Sequence, residues 1–279
     1  MSSRRRKRSS SFDSSNGRAR RSRTPIADTE AQRCDGSYSS PVVVLLVGSR
    51  KKALFAHKDI LAPVRFFGAC LQPNRFAEGY ATAGCPLQVT LPEDDPEAMG
   101  DVVHYLYTGR LELELKEGVN DSEEIENTMQ RLVNLYIAAD KYQIEDLCNM
   151  IVDAVIRITR RYLTTSNWPE DLRIAGLGDS LLRKYLIQKL AYDIRSCGMD
   201  VIEKDGMPIR ADLRRYPETG LDVLEELALA RIIDPTKFGS CKWHVHTQPG
   251  SHEKCLAANA MKGQHHHFFR TPRESLNLI

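Results

Sequence analysis

The sequence predicts an α+β fold in which a small β-sheet is covered by a helical cluster, with additional helices toward the carboxyl end. Three short β-type segments occur between residues 42 and 91, and beyond residue 94 most apolar residues recur at helical spacing. Strands mainly precede helices, without the regular βαβ alternation of a parallel α/β fold. With 279 residues, 42% of them apolar, the chain can bury a sizeable core.

The three strand segments are predicted from different patterns. Val42–Val47 is rich in β-branched residues and is ended by Gly48, and residues 52–56 follow a short basic turn, so together they predict a hairpin. Leu87–Leu91 alternates apolar and polar residues and predicts a third strand. Between the second and third strand segments, residues 57–71 carry apolar positions three and four apart, which predicts helical structure.

Helices are predicted for most of the remaining chain. Asp95 precedes Pro96, which indicates an acidic cap followed by proline at the first helical position, and Gly109 is expected to end that helix. Apolar periodicity predicts further helices around residues 125–137 and 144–155. Two more helices are expected around residues 182–194, capped by Asp179, and 224–232.

Charge is distributed unevenly along the chain. Residues 1–25 hold nine Lys/Arg and one acid, a net charge of +8, so the remainder carries −6 because the total is +2. Residues 1–38 contain few apolar side chains, which predicts that this segment is a disordered basic Arg/Ser tail. The mildly acidic remainder argues against a globular nucleic-acid-binding protein.

Two basic runs in this tail resemble a two-part nuclear import signal. The alternative is a solvated charged tail without that role, and neither interpretation is preferred; a mitochondrial presequence ranks behind both because the tail lacks an apolar face. A nuclear or cytoplasmic location is expected, since no apolar run is long enough to span a bilayer. The runs consist of Arg4, Arg5, Arg6, Lys7, Arg8, Arg18, Arg20, Arg21 and Arg23.

Six segments between residues 41 and 158 stand out by their order and spacing. They are Leu54-Phe55-Ala56-His57-Lys58-Asp59-Ile60-Leu61, Phe66-Phe67, Phe76-Ala77-Glu78-Gly79, Leu91-Pro92-Glu93-Asp94-Asp95-Pro96-Glu97-Ala98, Tyr105-Leu106-Tyr107-Thr108-Gly109 and Leu135-Tyr136-Ile137-Ala138-Ala139-Asp140-Lys141-Tyr142. Together these segments resemble a BTB/POZ domain and are similar to those of the single-BTB proteins of filamentous fungi. The resemblance implies a BTB/POZ domain over residues 39–158. We expect a helical extension at 159–236 and a Cys/His-rich, partly disordered tail at 237–279.

The residues of these motifs are expected to be mainly structural. We expect His57 to form a hydrogen bond near a strand-to-helix turn, and Asp59 to be a helix cap or a buried ion-pair partner. The Phe66-Phe67 pair is expected in the core, with one ring possible at an exposed edge. Tyr105 and Tyr107 face opposite sides of a helix, so at least one hydroxyl should reach solvent or a partner. The other motif positions are Lys58, Phe76, Glu78, Asp95 and Gly109.

Six of the eight histidines follow residue 240. Cysteine and histidine are ligands that zinc prefers, and a small polar segment can need a metal to fold. The spacing C-x2-H-x-H-x5-H-x2-C is not that of a standard zinc finger, and the alternative is an unstructured tract without any cofactor. The candidate ligands are Cys241, His244, His246, His252 and Cys255.

No motif of an enzyme family is present: the sequence contains no Walker A loop, G-x-G-x-x-G, G-x-S-x-G or H-E-x-x-H. The resemblance instead implies a non-enzymatic adaptor that binds proteins, with a possible role as substrate adaptor for a cullin-type E3 ubiquitin ligase. The alternative is a nuclear transcription or chromatin regulator that uses the basic tail, where alone nucleic-acid binding is expected. No membrane partner is expected. Homo-oligomerisation stays open. Some members of the family dimerise through an added amino-terminal helix, and that route is not expected here because the tail lacks a helical pattern.

Overall fold

The computed structural model describes residues 40–72, 87–113, 122–162, 177–198, 213–247 and 249–256. Two 3₁₀ turns, Pro235–Lys237 and Ser240–Trp243, follow the last long helix, and residues 251–256 are helical. The strands and longer helices are β1 Val42–Val47, β2 Lys52–His57, α1 Lys58–Leu61, α2 Arg65–Cys70, β3 Leu87–Leu91, α3 Pro96–Thr108, α4 Ser122–Lys141, α5 Glu145–Thr159, α6 Leu181–Cys197 and α7 Pro217–Ala228.

The described sheet has three strands in the order β2-β1-β3. β1 pairs with β2 antiparallel, as the predicted hairpin requires, and with β3 parallel. Every second residue of β1 and β3, such as Leu45 and Val89, is buried beneath the helices. The sheet and helices confirm the predicted α+β class.

The turn after β1 depends on glycine. Gly48 has a φ of +74°, a left-handed conformation that side chains disfavour, and a Cβ atom there would lie 3.0 Å from Cγ of Pro96 and 3.3 Å from the carbonyl oxygen of Asp94. Gly48 also donates a backbone hydrogen bond of 2.9 Å to Leu91. The turn therefore packs directly on the start of α3.

The predicted ends of α3 are confirmed. Asp95 accepts hydrogen bonds from the backbone N–H groups of Glu97 and Ala98, at 3.0 and 2.7 Å, and Pro96 occupies the first turn. At the other end, Gly109 adopts the left-handed conformation with a φ of +66° and donates to the carbonyl of Tyr105 at 2.7 Å.

The described part of the chain has one hydrophobic core, which continues from the sheet through α3, α4 and α5 into the carboxyl-terminal helices. Leu132 of α4, Ile151 of α5 and Leu190 of α6 are fully buried in it. The hydroxyl groups of Thr159 and Tyr185 form a buried hydrogen bond between α5 and α6. The helical extension therefore shares its packing with the sheet domain.

Two predictions for the carboxyl-terminal helices need correction. The cap of α6 is Ser180, whose hydroxyl accepts from the N–H of Arg183 at 3.2 Å, and not Asp179. The helix expected near residues 224–232 exists as α7, but its buried residues are Thr219, Gly220 and Val223, whereas Leu224 is 63% exposed. The spacing of only a few leucines did not determine which face is buried.

None of the helices in the described ranges combines the length and apolar character that crossing a bilayer requires.

We predict that Cys148 does not react with iodoacetamide in the folded protein at pH 8. Its side chain is buried in α5, and burial raises the pKa of its thiol to about 12, so the reactive thiolate is scarce at this pH. Mass spectrometry of the alkylated peptides measures this, with the half-buried Cys197 as the comparison. Equal alkylation rates for both cysteines would show that α5 opens readily.

Candidate protein-interaction surface

His57 and Tyr107 tie the end of β2 to α3. The Tyr107 hydroxyl accepts from the backbone N–H of His57 at 2.8 Å and lies 2.6 Å from Nδ1 of the same residue. The hydroxyl and Nδ1 share one further hydrogen bond, whose donor depends on the tautomer of the imidazole. These contacts confirm the hydrogen bond expected for His57. Tyr105 is buried on the other side of the helix.

The charged residues beside His57 lie at the surface. Lys58 begins α1, and its N–H donates to the carbonyl of Pro41 at 2.9 Å. The role expected for Asp59 is wrong, because its side chain is exposed and α1 has no side-chain cap. Instead, the N–H of Asp59 donates to the hydroxyl of Ser40 at 3.1 Å, so a serine before β1 orders this turn.

The phenylalanine pair packs on Tyr142 at the end of α4. Phe67 is fully buried and stacks on Tyr142 with ring centroids 4.9 Å apart, whereas Phe66 is 41% exposed, with its centroid 5.2 Å from the same ring. The core position expected for the pair holds for Phe67, and Phe66 lies at the exposed edge that the sequence allowed for one of the two rings.

A buried carboxylate fixes this aromatic cluster to the start of α3. Asp94 accepts hydrogen bonds from the Tyr142 hydroxyl at 3.0 Å and from Nζ of Lys141 at 2.7 Å. Burial, followed by the negative charge of Asp94, raises the pKa of Tyr142, so the hydroxyl stays a neutral donor. Sequence reasoning missed Asp94, because in the pair Asp94-Asp95 only the capping role has a local signal.

The side of the sheet that faces away from the helices carries exposed apolar residues. Phe55 on the edge strand β2 is 64% exposed and lies directly opposite Val44, which is itself paired with Gln88 of β3. Val42, at the start of β1, is 43% exposed. We call this surface the outer sheet face; it consists of Val42, Val44, Leu46, Ala53, Phe55, His57, Gln88 and Thr90.

A family model for the BTB/POZ domain matches residues 30–159. Residues 30–159 of this chain are a BTB/POZ domain. No curated protein matches the chain, so the similarity to single-BTB proteins of filamentous fungi stays an expectation. The BTB/POZ domain is a protein–protein interaction module, and the elements from β1 to α5 belong to it here.

The segment after α7 returns to the last helix of the BTB/POZ domain. Trp243 is 3% exposed and packs edge-on against Tyr185 of α6, with ring centroids 5.3 Å apart. Arg160, just past α5, donates to the carbonyl of Thr236 at 2.8 Å. These two contacts join the segment that follows α7 to α6 and to the residue just past α5.

The five candidate metal ligands meet beside α5. Cys241, His246 and Cys255 each offer one ligand atom, and these atoms lie within 4.8 Å of one another. His244 contacts the group through Nδ1, which is 3.1 Å from Sγ of Cys255. His252 is exposed, and its ring centroid lies 5.1 Å from that of His246.

Sequence reasoning missed the surface of α5 that receives this segment. Asn149 donates to the carbonyl of Val245 at 3.0 Å and accepts from its N–H at 2.7 Å. One helical turn earlier, Glu145 accepts from the N–H of Thr247 at 2.9 Å. The sequence does show polar residues four positions apart, Glu145 and Asn149. The same spacing occurs on any helix face that is exposed to solvent, so it did not identify a contact surface.

Some predicted site residues lie outside the described ranges. These are Phe76 and Glu78 of the family motif and all nine basic residues of the import-signal hypothesis.

Proposed function

We propose that the protein is a non-enzymatic adaptor that binds a partner protein through the outer sheet face of its BTB/POZ domain. The observation that carries this proposal is that the Phe55 side chain is 64% exposed on an edge strand, directly opposite the apolar Val44. Exposed apolar clusters of this kind are typical of protein-binding surfaces. Aromatic side chains at such positions often contribute a large share of binding energy.

The composition of the outer sheet face indicates what kind of partner fits. Its central residues are aliphatic or aromatic, and the polar side chains Gln88 and Thr90 lie along β3 at one side. None of its eight members is Asp, Glu, Lys or Arg, and the imidazole of His57 contacts the Tyr107 hydroxyl. The complementary surface is therefore an apolar patch with a few hydrogen-bonding groups at its margin.

We predict that Phe55→Asp abolishes capture of the partner. A charged carboxylate at the centre of an apolar interface must be desolvated without a matching cation, which lowers affinity by at least about 100-fold. The measurement is affinity purification of the full chain with quantitative mass spectrometry. Phe55 is largely exposed, so the melting temperature should change little.

Leu224→Asp is the matched control for this substitution. Leu224 of α7 is 63% exposed, nearly the same as Phe55, but it lies outside the BTB/POZ domain. We expect the Leu224→Asp variant to capture the same partners as the unaltered chain. A partner set lost with Leu224→Asp and kept with Phe55→Asp would place binding on the extension and contradict the proposal.

The partner class we propose is the cullin scaffold of an E3 ubiquitin ligase, with the protein as substrate adaptor. BTB/POZ proteins that recruit cullins use helices appended to the domain, and α6 packs here on the end of α5 through Thr159 and Tyr185. Direct binding of purified cullin to the full chain, reduced by Phe55→Asp, is the expected result. If Phe55→Asp leaves the affinity for cullin unchanged, cullin binds at a surface other than the outer sheet face.

The alternative function is nuclear regulation through the basic tail, which the +8 charge of residues 1–25 favours. On this alternative, DNA affinity falls steeply with salt concentration, and deletion of residues 1–25 removes both the binding and the nuclear accumulation of a fluorescent fusion. Phosphorylation at Ser9, Ser10, Ser22 or Thr24 would reduce the charge in the same way. Unchanged localisation after the deletion would contradict the import signal.

A further inference from the structure

Two cysteine–histidine pairs lie side by side where the carboxyl-terminal segment meets α5. Sγ of Cys241 is 3.3 Å from Nε2 of His246, and Sγ of Cys255 is 3.1 Å from Nδ1 of His244. A thiol is a weak hydrogen-bond donor, so hydrogen bonding alone gives little reason for both sulfur atoms to face imidazole nitrogens. Three of these ligand atoms, those of Cys241, His246 and Cys255, lie within 4.8 Å of one another. His244 adjoins this group through its contact with Cys255, and a shared metal ion would draw its Nδ1 toward the other three atoms.

The distances suit a tetrahedral metal ion. With Zn–S bonds of about 2.3 Å and Zn–N bonds of about 2.0 Å, adjacent sulfur and nitrogen ligands lie about 3.5 Å apart in a tetrahedron. The two observed sulfur–nitrogen separations, 3.3 and 3.1 Å, are close to this value. The second sulfur is also near the first pair, since the ligand atoms of Cys241, His246 and Cys255 lie within 4.8 Å of one another.

A carboxylate supports one of the histidines from behind. Nε2 of His244 lies 3.1 Å from Oδ1 of Asp153 on α5, and His244 is 8% exposed. When Nδ1 binds a metal, the imidazole proton resides on Nε2, where a carboxylate is the acceptor most often found in zinc sites. Asp153 thus fixes both the ring orientation and the tautomer that metal binding requires.

The same face of α5 holds the segment on either side of the cluster. Glu145, Asn149 and Asp153 are spaced four residues apart, and each contacts one member of the run 244–247. These are polar contacts, and beyond Trp243 the segment contributes little apolar burial, with Leu256 49% exposed. A metal ion would supply the stability that a core cannot give to so short a segment.

We propose that Cys241, His244, His246 and Cys255 bind one zinc ion, and that this ion fastens the carboxyl-terminal segment to helix α5 of the BTB/POZ domain. Four protein ligands leave no open position for water or substrate, so the site is structural. His252, exposed and next to His246, is outside the ligand set. The proposal does not depend on the outer sheet face, so it can fail or succeed independently of the adaptor function.

The first test is the zinc content of the full chain, purified from zinc-supplemented medium and measured by inductively coupled plasma mass spectrometry. We expect one zinc per chain for the unaltered protein and for the control His252→Ala. Cys255→Ser should retain less than about one-tenth of that content, because it removes one of four ligands. Cobalt(II) in place of zinc should give the visible absorption bands of a tetrahedral thiolate site.

Asp153→Asn provides a variant that keeps all four ligands. It should lower zinc affinity about 10- to 100-fold, measured by competition with a chromogenic chelator. Chelation should also expose Cys241 and Cys255 to alkylation while Cys148 stays unreactive. An unaltered chain that takes up no zinc, or one isolated with a Cys241–Cys255 disulfide, would overturn the proposal, and zinc loss in His252→Ala would overturn the ligand set.

Discussion

Replacing Asp193 by alanine is expected to lower the free energy of unfolding by about 3–5 kcal/mol. Asp193 and Lys189 lie one turn apart on α6, with Nζ of Lys189 2.5 and 2.6 Å from the two carboxylate oxygens. Their side chains are 3% and 5% exposed. Removal of the carboxylate leaves the Lys189 ammonium group buried without the charge that compensates it. Urea denaturation of the full chain measures the change.

The double variant Lys189→Met, Asp193→Ala distinguishes a buried charge from lost packing. With both charges removed, no ion has to be desolvated, so most of the stability should return. Equal destabilisation in the single and double variants would show that the stabilisation comes from the side-chain volumes and not from the charge pair. Because α6 packs on α5, loss of α6 should also expose the end of the BTB/POZ domain to proteolysis.

Local patterns were sufficient for the sheet and for α3. The β-branched run of β1, the alternation in β3 and the sequence Asp95-Pro96 each specify a conformation through residues that are neighbours in the chain. The phenylalanine pair was expected in the core, and Phe67 is buried there, whereas Phe66 takes the exposed edge position that the sequence left open for one ring. In these cases the local preference and the tertiary packing favour the same structure.

Long-range partners could not be predicted, because nothing local distinguishes them. Asp94 pairs with Tyr142, 48 residues away, and Asn149 with Val245, 96 residues away. An acid beside a helix cap and an asparagine on a polar helix face have many equivalent explanations in sequence. The Cys/His spacing led to the hypothesis of a metal site, but only the fold shows that Asp153 lies behind His244.

Replacement of Phe67 by alanine should destabilise the protein by about 3–5 kcal/mol, whereas Phe66→Ala should cost about 1–2 kcal/mol. Both rings contact Tyr142, but Phe67 is fully buried and stacked on it, and Phe66 is 41% exposed. Truncation of Phe67 leaves a cavity that the surrounding helices cannot fill, so the loss includes contacts as well as transfer free energy.

The neighbouring positions of these two rings make the comparison a test of the fold's register. Both belong to α2, so a helix rotated by one residue would exchange their roles and reverse the order of the two stability losses. Calorimetric melting of both variants, at equal concentration, decides between these outcomes. If Phe66→Ala has the smaller stability loss, Phe66 is the ring that is available to a partner protein. Its removal should leave the domain folded and remove any contact that the ring makes with that partner.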